Sequence, residues 1–161
     1  MLLSGSCHCA KVGFTLVSRH PYPFNLCYCE ICRKTAGGGG YAINLGGEAS
    51  TLEVKGEEYL SIYRARLVDH DGGSYVSSAE RRFCKVCGSA LWLWDPVWPE
   101  LIHPFASAID SELPLAPEKT HLMTAYKAGW VYLADGRRDQ FFLKYPDESI
   151  ADWHKRLGLE E

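Results

Sequence analysis

Seven cysteines, grouped as Cys7-x-Cys9, Cys27-x-Cys29-x2-Cys32 and Cys84-x2-Cys87, constrain this chain more than any other feature. Two pairs and a triplet divide into four plus three. Four thiolates close a tetrahedral zinc site, whereas three leave one position for water or substrate. A closed site is structural and an open one can do chemistry. The pattern therefore points to two zinc ions per chain, one for folding and one for function. An odd number of cysteines also argues against complete disulfide pairing.

Cys84-Lys85-Val86-Cys87-Gly88 has the form of a zinc knuckle. Two intervening residues make a tight turn that aims both sulfurs at one point, and the glycine can take a positive φ. If Cys7-His8-Cys9 is extended, its two sulfurs share one side and His8 points away. Cys27 to Cys32 packs three thiols into six residues, followed at once by Arg33 and Lys34. Nearby cations favour the thiolate. Spacing alone leaves two other arrangements open. A histidine (His20, His70, His103 or His121) can close the triplet as Cys3His. Alternatively, Cys29 and Cys32 can join Cys84 and Cys87 in a ribbon that leaves Cys7, Cys9 and Cys27 outside.

The rest of the chain reads as one mainly β domain spanning residues 1–161, with 47% hydrophobic residues to build its core. Strands are expected at Lys11–Leu16, Phe24–Tyr28, Tyr41–Leu45, Thr51–Val54, Tyr59–Arg66, Ser74–Phe83 and Ala90–Trp94, each bounded by turn residues. One helical turn is expected at Glu30–Thr35. A short C-terminal helix is expected at Glu148–Leu157, capped by Asp147 and stopped by Gly158. Pro96–Pro117 reads as an ordered surface loop.

Net charge of -3 and a pI near 6.1 lack the basic stripe of a nucleic-acid binder. Arg64, Arg66, Arg81 and Arg82 read as solvated strand faces. No segment approaches the ~20 apolar residues of a membrane span, and Met1–Ser6 is too short for a secretion signal. A cytoplasmic location is the expectation, which suits metal-bound thiols. Nothing in the pattern bears on oligomeric state.

Three blocks carry a family resemblance: Gly5-Ser-Cys-His-Cys-Ala-Lys-Val-Gly-Phe14, Cys27-Tyr-Cys-Glu-Ile-Cys-Arg-Lys-Thr-Ala-Gly37 and Arg82-Phe-Cys-Lys-Val-Cys-Gly-Ser-Ala-Leu91. In order and spacing they resemble the glutathione-dependent formaldehyde-activating enzymes, a family that also holds centromere protein V. Ala106–Asp110 and Lys127–Trp130 resemble later, weaker family segments. The resemblance implies a β-tent fold of packed antiparallel sheets with zinc knuckles. It implies a structural zinc on Cys7, Cys9, Cys84 and Cys87 and a catalytic zinc on Cys27, Cys29 and Cys32. The implied activity is that of a carbon–sulfur lyase of the S-(hydroxymethyl)glutathione synthase type, joining glutathione to formaldehyde. Arg33 and Lys34 are the candidate contacts for the carboxylates of the thiol. No general acid or base stands out; Glu30, Tyr28 and His103 are candidates, each read first as structural. The alternative is a non-catalytic carrier of glutathione or its adducts.

Overall fold

The computed structural model describes residues 1–133 and 138–159. Its strands are β1 (Leu2–Ser6), β2 (Gly13–Val17), β3 (Phe24–Cys27), β4 (Ala42–Asn44), β5 (Gly47–Glu48), β6 (Glu53–Lys55) and β7 (Leu60–Tyr63), then β8 (Arg66–Val68), β9 (Ser74–Val76), β10 (Glu80–Cys84), β11 (Ala90–Trp94), β12 (Leu101–Pro104), β13 (Lys119–Leu122) and β14 (Gln140–Phe141). Two helices, α1 (Glu30–Ala36) and α2 (Ile150–Arg156), complete the regular structure.

The strands form sheets ordered β1-β2-β6, β5-β12-β11-β10-β7 and β14-β13-β3-β4, with β8-β9 as a separate hairpin. The mainly β, antiparallel character and the short C-terminal helix agree with the sequence. One strand is an exception, since β13 runs parallel to both β3 and β14. A parallel neighbour needs a long crossover, and β13 lies some way along the chain from β3.

The largest core cluster lies between the first two sheets and unites Leu3, Val12, Phe14, Leu16, Leu91, Trp92 and Ile102 with Cys7 and Cys84. The expected alternation of Val12, Phe14 and Leu16 is realised, as all three are buried. Phe14 meets Trp92 edge-on at 5.0 Å between ring centroids, a geometry favoured by the ring quadrupoles. Gly5 permits this packing. A Cβ there would stand 2.4 Å from the Ala108 carbonyl oxygen and 2.5 Å from the Phe14 ring.

Several sequence expectations shift in detail. Pro96–Pro117 is not a plain loop, because it contains β12 and a 3-10 turn at Ala106–Ala108. Backbone pairing with β11 and β5 recruits these residues despite their poor strand composition. Ser74–Phe83 splits into β9 and β10. α2 is capped by Ser149 rather than Asp147. The Ser149 side chain accepts from the Asp152 N–H, and the Asp152 carboxylate reaches back to Ser149. That capping box is written in the sequence as Ser-x-x-Asp. Gly158 closes the helix at φ +66°, and Trp153 buries its inner face.

Candidate metal centres

The four-cysteine cluster is assembled from two distant turns. Cys7 follows β1 and Cys84 ends β10, so a loop on each of two sheets supplies a pair. Cys7-His8-Cys9 is a turn, not the extended segment expected from spacing. Ala10 takes a positive φ of 58° and donates its N–H to the Cys7 carbonyl. Both sulfurs still face one point. The Sγ atoms of Cys7 and Cys9 are 3.5 Å apart, and those of Cys9 and Cys84 are 3.8 Å apart. Thiolates around a tetrahedral zinc at its usual bond length stand about 3.8 Å apart, so the donor set fits such an ion.

The second turn repeats the logic. Gly88, at φ +76°, donates to the Cys84 carbonyl at 2.8 Å. Its neighbour Ser89 lies 3.2 Å from the Cys87 sulfur, and this contact leads in lowering the Cys87 pKa to about 5. The Val12 N–H donates to Cys7 Sγ at 3.2 Å. His8 is exposed, and its backbone N–H donates to Ser89, which ties the two turns together.

The triplet is local. Cys27 ends β3, Cys29 caps α1, and Cys32 sits in its first turn. The helix is two turns long, one more than the sequence suggested. The Cys32 N–H donates to Cys29 Sγ at 3.3 Å. All three sulfurs lie within 4.8 Å of one another, and no other metal-ligating side chain joins them among the described residues. Cys27 and Cys32 are buried and pack with Ala42, Phe105 and Leu122. Hydrogen bonds from Cys27 and Cys32, helped by the Cys32 N–H and the charge of Arg81, hold the Cys29 pKa far below the ordinary thiol range. The Cys27 pKa is pushed far up, first by its hydrogen bond to Cys29. Three soft sulfur donors gathered this closely suit a metal such as zinc, which takes cysteine ligands as thiolates.

The competing arrangements are resolved by distance. Cys29 and Cys32 do not join Cys84 and Cys87, so the ribbon is not formed. No histidine closes the triplet among the described residues. His20 Nε2 bonds the Leu159 carbonyl, and His103 Nδ1 donates to the Leu45 carbonyl at 3.0 Å. His121 bonds Tyr28 and Asp139.

The other sequence candidates fall in different settings. Lys34 is exposed and pairs with Glu30 at 2.7 Å, one helical turn away. Arg33 is half-buried, with its Nε enclosed and unpartnered. Tyr28 points away from the triplet. Its hydroxyl meets His121 Nδ1 at 2.8 Å, and His121 Nε2 meets Asp139 Oδ2 at 3.3 Å. With the carboxylate accepting from Nε2–H, Nδ1 is left as the acceptor and the phenol donates. Burial raises the Tyr28 pKa to about 12, which keeps that proton in place.

Sequence reasoning missed this Tyr28–His121–Asp139 network, whose members are far apart in the chain. It also misplaced Arg81. That residue is only 8% exposed, not part of a solvated strand face. No local signal marked its burial, which follows from β10 pairing on both sides, with β11 and β7.

A mainly β chain with a four-thiol cluster and a three-thiol cluster defines a class of cysteine-rich domains whose clusters could hold metal ions. The family model described as "Glutathione-dependent formaldehyde-activating enzyme" matches residues 2–125. A Halomonas elongata protein named "Putative glutathione-dependent formaldehyde-activating enzyme" is 63% identical over 161 residues, covering 100% of this chain and 99% of that protein. The chain belongs to the glutathione-dependent formaldehyde-activating enzyme family. Among solved structures, a Rhodobacter sphaeroides protein shares the fold at a TM-score of 0.51 and 24% identity, over 69% of this chain and 91% of that one. No helix among the described residues is long and apolar enough to cross a membrane.

Proposed function

We propose that this protein is a zinc-dependent carbon–sulfur lyase that joins glutathione, or a similar thiol, to formaldehyde or a similar small aldehyde. The observation that carries this reading is a triplet with three thiol donors and no fourth ligating side chain among the described residues, in a member of this family. Two zinc ions per chain are proposed. Cys7, Cys9, Cys84 and Cys87 hold a structural ion, and Cys27, Cys29 and Cys32 hold a catalytic one.

A zinc ion with three thiolates and one free position lowers the pKa of an incoming thiol and can polarise a carbonyl. In the reaction the thiol of the substrate loses its proton, its sulfur bonds to the aldehyde carbon, and the carbonyl oxygen takes up a proton. The chain's residues prepare this step. Cys29 caps α1, which fixes the triplet's geometry. Phe105, Leu122 and Ala42 pack behind the thiols and exclude water from that side. Arg33 and Lys34 are the proposed outer contacts for the carboxylates of the substrate. Glu30 partly offsets Lys34, so Arg33 is expected to dominate.

The test is exchange NMR of formaldehyde and glutathione with fully zinc-loaded protein. Faster carbon–sulfur bond formation that vanishes in Cys29→Ala, together with loss of one zinc, supports the lyase. Binding of the adduct with no change in exchange rate would replace it with the carrier reading.

A further inference from the structure

A cavity of about 310 Å³ is walled by residues that follow both cysteine clusters in the chain, Thr35 after the triplet and Gly88 after the knuckle. Tyr63 of β7, Arg81, Arg82 and Phe83 of β10, Ala90 and Phe105 complete its lining. Phe105 shares an apolar cluster with Cys27 and Cys32, and Ala90 packs against that cluster, so it borders both the cavity and the triplet. Its volume falls at the small end of the range for small-molecule sites.

Arg81 is the unusual group in this wall. It is more than nine-tenths buried, and its Nε has no hydrogen-bond partner. Among the described residues no carboxylate pairs with its guanidinium. The nearest acid in sequence is committed elsewhere, because Glu80 pairs with Arg64 and Arg82. Arg82 lines the same cavity, but its charge is met by Glu80, whereas that of Arg81 is not. Arg81 shares its face with its cross-strand partners Leu93 and Tyr63, and Leu93 packs against the triplet. An enclosed Nε–H without a partner is costly, and guanidinium geometry matches a carboxylate bidentately.

We propose that Arg81 and this cavity form the site that takes a carboxylate of the substrate thiol. This inference rests on the reading of the triplet as the thiol site. It adds a buried anchor to the outer contacts of α1. The thiol then reaches the triplet while its carboxylate is held in the cavity, with the hydroxyl-bearing residues Thr35 and Tyr63 beside it. In this scheme Arg81 is a binding residue.

The experiment is calorimetric titration of the zinc-loaded protein with glutathione, S-methylglutathione and glutathione diethyl ester. S-methylglutathione lacks a free thiol, and the diester lacks carboxylate charge. Wild-type protein is expected to bind the two carboxylate ligands about 10-fold or more tightly than the diester, in line with a charge-assisted contact. Arg81→Gln should lose that preference and leave diester affinity unchanged. Arg81→Lys should recover part of it, and it serves as the folded variant should the glutamine form be unstable. Zinc content and near-UV circular dichroism are the controls for folding. Equal weakening for all three ligands would make Arg81 a mere counter-charge to the thiolates and overturn the proposal, as would a wild type without carboxylate preference. Carboxylate preference through Arg81 without faster carbon–sulfur exchange would sink the lyase and leave the site standing. Faster exchange, equal for glutathione and its diester, would do the reverse.

Discussion

The two cysteine clusters use the same side chain in opposite ways. The four-thiol cluster draws its pairs from turns more than seventy residues apart, and Cys7 and Cys84 are themselves part of the main core. The triplet spans six residues and needs only the end of β3 and the start of α1. A ligand set that spans two sheets binds metal only when the sheets are assembled, so its binding free energy is folding free energy. A local set closes a short loop and can exchange its metal while the fold persists. On the proposed reading, stability belongs to the first cluster and chemistry to the second.

The sharpest way to break this contrast is Cys84→Ala. Cys84 is fully buried, and its loss should remove the structural metal and destabilise by an amount comparable to the whole folding free energy, about 5–15 kcal/mol. The expected outcome is loss of the near-UV signal and of both zinc ions. A cooperative, folded Cys84→Ala protein would show that the distant ligands do not hold the sheets together.

Tyr28→Phe probes the scaffold under the triplet. It removes the hydroxyl that meets His121 and leaves a buried imidazole nitrogen without its partner, which costs about 1–3 kcal/mol. Urea denaturation should show this loss with zinc content unchanged. A neutral result would mean that the network does not stiffen β3 against β13.

Cys29→Ala should cost less stability, about 1 kcal/mol or under, through the lost helix cap. It should nonetheless release one zinc and abolish turnover. A destabilisation as large as that of Cys84→Ala would erase the proposed division of labour.

The smallest effect concerns acid stability on the sheet that carries Cys84. His103 on β12 is held below its ordinary pKa by loss of water, which outweighs the opposing hydrogen bond to Leu45. The folded state therefore binds fewer protons than the unfolded one. This contribution is complete above the ordinary imidazole range of about 6.5 and is lost as pH falls toward the depressed value. Thermal melts of His103→Gln against wild type between neutral and mildly acidic pH should show a shallower decline for the variant. Parallel declines would remove His103 from the account.

How legible these features were follows from how far apart in the chain their parts lie. The helix in the triplet, the alternation of Val12, Phe14 and Leu16, and the Gly158 stop were readable because each depends on residues within a turn or two. The strand hidden in Pro96–Pro117 was not readable, because its partners on β11 and β5 decide it. The turn at Cys7-His8-Cys9 replaced an expected extended segment, because Ala10 accepts a left-handed conformation to close it.

The sequence by itself determined which side chains can ligate metal and that they fall into a pair, a triplet and a pair, since residue type and spacing alone set that chemistry. Only the tertiary structure decided that the two pairs meet while the triplet stands apart. It alone placed the Arg81 guanidinium in the wall of a cavity and His121 between Tyr28 and Asp139. Burial of a charge depends on which sheet covers it, and that is a property of packing between distant segments, not of local pattern.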